Sequence, residues 1–203
     1  MSATDRFALP ARVLHWLMAI LIGAMLFMGV GMVSTASEAY PMLLAWHRPV
    51  GIAILLLALI RLIVRLTHRP PPLPEGLPAL QAGAALGSHY LLYGLMLAMP
   101  LVGWAMLSAA GSPVLLWKGL VLPPVLPHNV LVFGWLRWIH GLLGYAFFLL
   151  ILAHLGAALF HGLIRRDGVL TSMASFGRRR VSPSEDKEAV EQPAKALIED
   201  IQS

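Results

Sequence analysis

The chain carries eight histidines and no cysteine, so imidazole is its main candidate for binding metal and moving protons. Three of these rings lie in one apolar run, HGLLGYAFFLLILAHLGAALFH, which holds His140, His154 and His161. Burying such a ring in apolar surroundings is costly unless it is hydrogen-bonded or bound to something. Without cysteine there can be no disulfide, no thiolate-held iron–sulfur cluster and no C-x-x-C-H haem attachment. Histidine, methionine and carboxylates remain as metal ligands. Fourteen residues make nearly four helical turns, which puts His140 and His154 on one face about 21 Å apart. His161 follows about two turns further along nearly the same face.

These rings must be held by four apolar stretches, about 12–33, 47–67, 87–108 and 135–163. A helix needs about 20 residues to cross a bilayer, and each stretch supplies them. Composition agrees, with 58% of residues hydrophobic and only 12% charged. Soluble domains are about 45–50% apolar and about 25% charged. The expected fold is all-α: a transmembrane four-helix bundle in one domain, residues 1–171, followed by a charged, disordered tail at 172–203. The first stretch is longer than the about 7–15-residue core of a signal peptide, so it is expected to be retained. Pro-rich RPPPLPEGLP (69–78) joins the second and third stretches. The connection at 109–134 contains Pro113, Pro123, Pro124 and Pro127 and is expected to form short turns and one surface helix.

The net charge is +5, but the basic residues flank the apolar runs and form no patch for nucleic acid. Putting both termini and the 69–86 loop on one side gathers Arg6, Arg12, Arg61, Arg65, Arg69, Arg165, Arg166 and Arg178 to Arg180 there. The other side receives Arg48, Lys118 and Arg137. The positive-inside rule then expects both termini in the cytoplasm. Trp46, Trp117, Trp135 and Trp138 would fall at the outer interface as an aromatic belt.

Depth now pairs the rings. His15 starts the first span on the inner side, level with His154. His47 starts the second on the outer side, level with His140. Two imidazoles on facing helices suit the axial positions of a b-type haem, whereas zinc normally takes three or four protein ligands. Two haems b, one near each membrane face, are the expected cofactors. Gly51 and Gly144 each follow a paired histidine by four residues, where a missing side chain would admit a flat macrocycle. Arg61 follows His47 by fourteen, so it reaches the inner level, where a guanidinium suits a haem propionate. Each feature has a plainer alternative: interhelical hydrogen bonds for the histidines, small-residue packing for the glycines, snorkelling for Arg61.

The segments WHRPVGIAILLLALIRLIVR (46–65), HYLLYGLMLAMPLVGW (89–104), RVLHW (12–16) and HGLLGYAFFLLILAHLGAALFHGLIRRDGVL (140–170) resemble the bacterial cytochrome b561 family. The resemblance covers about residues 6–175. It implies a di-haem b cytochrome of the bacterial inner membrane, with ligands at His15, His47, His140 and His154. One member type is a superoxide oxidase, which oxidises superoxide at the periplasmic face and reduces ubiquinone at the cytoplasmic face. The resemblance associates His89 and His161 with the quinone site, although both could be plain interfacial histidines. The superoxide-oxidase pattern has lysines in the 70s loop. Here that loop has none and carries Glu75, which puts a loop-lysine role in doubt. His68 and His128 read as loop histidines. Two other functions stay open: an electron-transfer subunit docked on a partner, as in the related hydrogenase and formate-dehydrogenase cytochromes, and a haem-free transporter or structural bundle.

Overall fold

The computed structural model describes residues 7–34, 39–68, 78–116 and 119–174. Four long helices dominate it: α1 (Leu9–Ser34), α2 (Ala39–Thr67), α3 (Ala79–Ala109) and α4 (Val130–Leu159). The last continues directly into a π-helical segment, Phe160–Arg165, and a short helix α5 (Val169–Ala174) follows. All four long helices are long and apolar enough to cross a membrane. Their outer surfaces agree, because Ile20, Phe27, Ile63 and Leu149 are each at least 60% exposed. Helices that are apolar all round suit lipid, not water.

All four helices start earlier than the apolar stretches suggested, α1 by three residues and the others by more. α2 begins at Ala39, before 47, and Pro49 lies inside it. A proline removes only its own N–H, and membrane helices tolerate that loss. α3 begins at Ala79, because ALQAGAALGSH is rich in helix-forming Ala and Leu although only moderately apolar. α4 begins at Val130, because the Asn129 side chain accepts hydrogen bonds from the Leu131 and Val132 N–H groups at 3.0 and 3.1 Å. That is an N-cap, and it fixes the helix start.

Between α3 and α4 the described residues form short turns, as expected, and a strand pairing that was not. A short strand β1 (Val114–Leu115) pairs antiparallel with β2 (Val121–Leu122). Side chains of α3 pin this connection down. Ser108 Oγ accepts from the Val125 N–H at 3.1 Å, and the Trp104 indole donates to the Pro123 carbonyl at 3.1 Å.

The chain is helical across the 171/172 boundary that composition suggested. Ser172 is buried in α5, and its carbonyl accepts the Phe7 N–H at 3.4 Å. The Trp16 indole donates to the Met173 carbonyl at 3.2 Å, so α5 is tied to the start of α1. The rest of the expected tail (175–203), the Pro-rich residues 69–77, Trp117 and Lys118 lie outside the described residues.

The bundle core is Met18, Ile22, Ile54, Ala58, Met96 and Phe147. Phe147 is seven residues from both His140 and His154, so it fills the level midway between them. α1 packs closely on α2, and α3 on α4, while α1 and α4 barely touch. At the far end, Gly162 of the π segment faces α5. A Cβ there would run into the Leu170 side chain and lie 3.0 Å from Leu170 Cβ. Gly162→Ala is therefore expected to destabilise the docking of α5 by roughly 1–3 kcal/mol. Limited proteolysis should then cut the 166–174 segment faster than in wild type.

Candidate functional site

Two groups of histidines sit at opposite ends of the bundle. At the end away from the termini, His47 of α2 faces His140 of α4, with ring centres 6.2 Å apart. The Nδ1 atom of His47 is buried without a hydrogen-bond partner, while the His140 ring stands against the backbone of α3 at Met99. Gly103 of α3 makes room for this pair, since a Cβ there would stand 3.3 Å from His140 Cε1. Gly51 and Gly144 open onto the ends of flexible side chains, those of Met25 and Met99, 3.5 and 3.8 Å from where each Cβ would be.

At the termini end, His15 of α1 faces His154 of α4 with ring centres 6.4 Å apart. His89 of α3 joins them, 5.6 Å from His154. Arg61 reaches in from α2. Its Nη2 lies 3.2 Å from His15 Nδ1, its Nη1 donates to the Ala11 carbonyl at 3.1 Å, and its guanidinium stands 5.9 Å above the Tyr93 ring. Arg61, Arg65, His68, His89 and Tyr93 line a small cavity beside this group. His68, read as a loop residue, closes α2 there and bonds Thr67 Oγ1 at 2.9 Å.

The geometry of both pairs can be tested against a metal. A metal–nitrogen bond of about 2.0 Å plus about 1.2 Å from nitrogen to ring centre would set two imidazoles on opposite sides of one metal about 6.4 Å apart, centre to centre. The observed 6.2 and 6.4 Å fit that span, and the 5.6 Å between His89 and His154 is too short for it. Both pairs also bridge helices that pack little on one another, α1 with α4 and α2 with α4. Among the described residues no group of three or more His, Asp or Glu converges as a metal-ion site. Such two-histidine sites suit an ion that brings its other donors in a planar macrocycle, as haem iron does.

His161 stands apart from both groups. Its Nδ1 lies 2.6 Å from Asp167 Oδ2, and Arg165 Nε lies 3.5 Å from the same oxygen. Burial pushes the Asp167 carboxyl up, but the hydrogen bonds from His161 and the Val169 N–H, with the His161 and Arg165 charges, hold it below the ordinary carboxylate range. The contact therefore contributes stability above that range and loses it as pH falls through the depressed value. Two residues escaped the sequence reading. Asp167 is the sole carboxylate between Glu75 and Glu185, which was a signal available in the sequence. Gly103 lies in an apolar run with other glycines, and nothing in the sequence distinguished it.

Comparison with known proteins agrees with this architecture. The family model described as prokaryotic cytochrome b561 matches residues 6–176. Cytochrome b561 homolog 1 of Escherichia coli (strain K12) is 31% identical over 174 residues, 83% of this chain and 97% of the relative. A probable superoxide oxidase CybB of Yersinia pestis is 29% identical over 79% of this chain and 90% of its own length. Cytochrome b561 homolog 2 of Escherichia coli (strain K12) is 27% identical over 85% and 93%. Four membrane-length helices, histidine pairs facing each other across them and a family match over all the described residues agree, and the chain belongs to the prokaryotic cytochrome b561 family.

Proposed function

We propose that this membrane cytochrome b carries electrons from superoxide on the periplasmic side to ubiquinone on the cytoplasmic side through two haems b. The observation that carries the proposal is the pair of interhelical histidine couples with ring centres 6.2 and 6.4 Å apart. His47 and His140 would hold the outer haem, and His15 and His154 the inner one. The haems supply one-electron chemistry, and the protein supplies position, charge and proton handling. Both termini lie in the cytoplasm on this reading, which follows the excess of arginine at that end.

Each side chain then has a definite task. Gly103 leaves the space that lets the His140 ring stand in line with His47. Phe147, Met96 and Met18 hold the two levels apart and exclude water between them. Arg61 always donates, so its bond to His15 Nδ1 requires that nitrogen to be bare. A neutral ring that gives Nε2 to a metal keeps its proton on Nδ1. Arg61 must then leave His15, and the freed guanidinium becomes the cation available to a propionate. His161 and Asp167 lie beyond the inner pair, on the side where a quinone would take up protons.

Superoxide is an anion, and cations near the outer pair favour it. Arg48 adjoins His47, and Arg137 is exposed three residues before His140. Reversing both to Glu is expected to slow superoxide-driven haem reduction about tenfold at low ionic strength, because long-range charge acts on association. The deficit should shrink at high salt, and a neutral reductant should not register the change. Wild-type speed of the double variant in low salt would refute this steering. The function itself is tested with purified protein in liposomes. A reduced spectrum with a sharp α band and superoxide-dependent quinol formation are expected. No reaction with superoxide would favour the partner-docked subunit, and a haem-free spectrum would sink the proposal.

A further inference from the structure

We infer that Asp167 is a positioning residue of the quinone-reducing end: it holds His161 with the proton on Nδ1, so that Nε2 is the nitrogen that takes and gives a proton. The inference rests on the reading that His161 serves the quinone, and it adds how that ring is set for its task.

The contact itself fixes the tautomer. Asp167 Oδ2 is 2.6 Å from His161 Nδ1, a charge-assisted hydrogen bond and the shortest contact this carboxylate makes. An ionised carboxylate can only accept, so Nδ1 must donate. A free neutral imidazole favours the proton on Nε2, so the carboxylate reverses the ring's own preference. Nε2 is thereby left bare in the neutral ring, and it becomes the donor once the ring is protonated. The His161 side chain is 19% exposed, so the ring is not sealed off from the surface.

The backbone is arranged to make this contact. The chain leaves α4 through the π segment Phe160–Arg165, and such wide turns are frequent at functional sites. It then turns back sharply, with Arg166 at φ 52° and Gly168 at φ 85°, both in the left-handed region. The turn brings Asp167 back under His161. Its second oxygen, Oδ1, accepts the Val169 N–H at 3.3 Å and so ties the carboxylate to the start of α5. The charged neighbours leave the pair intact. Arg165 approaches Asp167 at 3.5 Å but donates through Nη1 to Gln81 Oε1 of α3 at 3.1 Å. Arg166 directs its Nε to the Leu163 carbonyl at 3.2 Å. Helix α5 carries no titratable side chain. Among the described residues His161 thus has one acidic partner, and that partner touches a single nitrogen of the ring.

Reduction of one quinone to quinol takes two electrons, which two superoxide anions would supply as each is oxidised to dioxygen, and two protons from the cytoplasmic side. His161 donates one of these protons through Nε2 and takes its replacement from water at the same atom. Asp167 stays ionised throughout and stabilises the imidazolium.

The test uses the full-length, haem-loaded protein in lipid nanodiscs. Nitrogen-15 spectra of histidine-labelled protein, assigned by loss of the His161 signals in H161Q, should show His161 protonated at Nδ1 in the neutral form. Protonation at Nε2 would overturn the inference. Reoxidation of pre-reduced haems by a short-chain ubiquinone gives the second readout. An amide at 167 donates where the carboxylate accepts and drives the ring to the other tautomer. D167N should therefore leave the haem spectrum unchanged and slow reoxidation about tenfold near neutrality, while D167E restores the wild-type rate. If H161Q reoxidises at the wild-type rate, His161 does not serve the quinone and the underlying reading fails. If H161Q is slow but D167N keeps the wild-type rate, that reading stands and the role of Asp167 is refuted. Should D167N fail to assemble, the nitrogen-15 spectrum of the wild type decides.

Discussion

Replacing any one of His15, His47, His140 or His154 by Ala is expected to halve the haem content, from two haems per chain to one. On the proposed reading a single imidazole would leave the iron one protein donor short, and among the described residues no third histidine ring stands against the outer pair. The grouping of the losses is the sharper part. The H15A/H154A double variant should lose no more than either single variant, and so should H47A/H140A. A cross pair such as H15A/H47A should lose both haems. Independence is expected because the buried core of Met18, Ile22, Ile54, Ala58, Met96 and Phe147 lies between the two levels. Sites about 21 Å apart without shared partners usually act additively. Haem extracted per chain, with the α band read for each variant, measures this. His89 provides an internal challenge. Its ring is nearer to His154 than His15 is, 5.6 Å against 6.4 Å. If H89A and not H15A removes the inner haem, the separation argument has picked the wrong partner. Loss of a haem from H68A or H128A, both exposed positions, would break the pairing altogether.

Periodicity and depth were enough to pair the histidines in the sequence. Four ring positions relative to the ends of apolar runs gave His15 with His154 and His47 with His140, and the coordinates bring those rings together across helices. Helix number was legible for the same reason, since lipid demands long apolar segments. Helix starts were not, because they depend on local chemistry that hydropathy ignores. Asn129 caps α4 through two backbone N–H groups, Pro49 sits within α2 without ending it, and the Ala-rich start of α3 is helical without being strongly apolar. The return of the chain after α4 was also hidden. It depends on a π segment, two left-handed residues and a glycine under Leu170, none of which has a periodic signature. That turn is what recruits Asp167 to His161. Gly103 was missed because it belongs to the helix opposite the pair it serves, and no spacing within one helix can reveal a contact made by another.

His89 and His161 were expected to share one quinone site, yet they stand in different surroundings, and their Ala variants should fail in different ways. His89 leans on His154 and lines the cavity with Arg61, Arg65 and Tyr93. A polar ring beside an axial ligand affects that ligand's orientation and the field at the metal. H89A is therefore expected to shift the α band and the midpoint potential of the inner haem, with any effect on quinone following from that shift. His161 lies about 10 Å further along the axis, with Asp167 as its polar contact. H161A should keep both haems, both potentials and the normal rate of reduction by the outer donor. Reoxidation by quinone should slow by at least about tenfold, since a positioned proton donor contributes on the order of 10²–10⁴ to such a step. Redox titration of each haem and stopped-flow reoxidation by a short-chain ubiquinone separate the two effects. If H89A leaves the inner potential unchanged and slows quinone as much as H161A does, the two rings work on one quinone despite their separate settings. If both variants and their double keep wild-type quinone kinetics, quinone binds elsewhere, and the cavity lined by Arg61, Arg65 and Tyr93 is the place to look next.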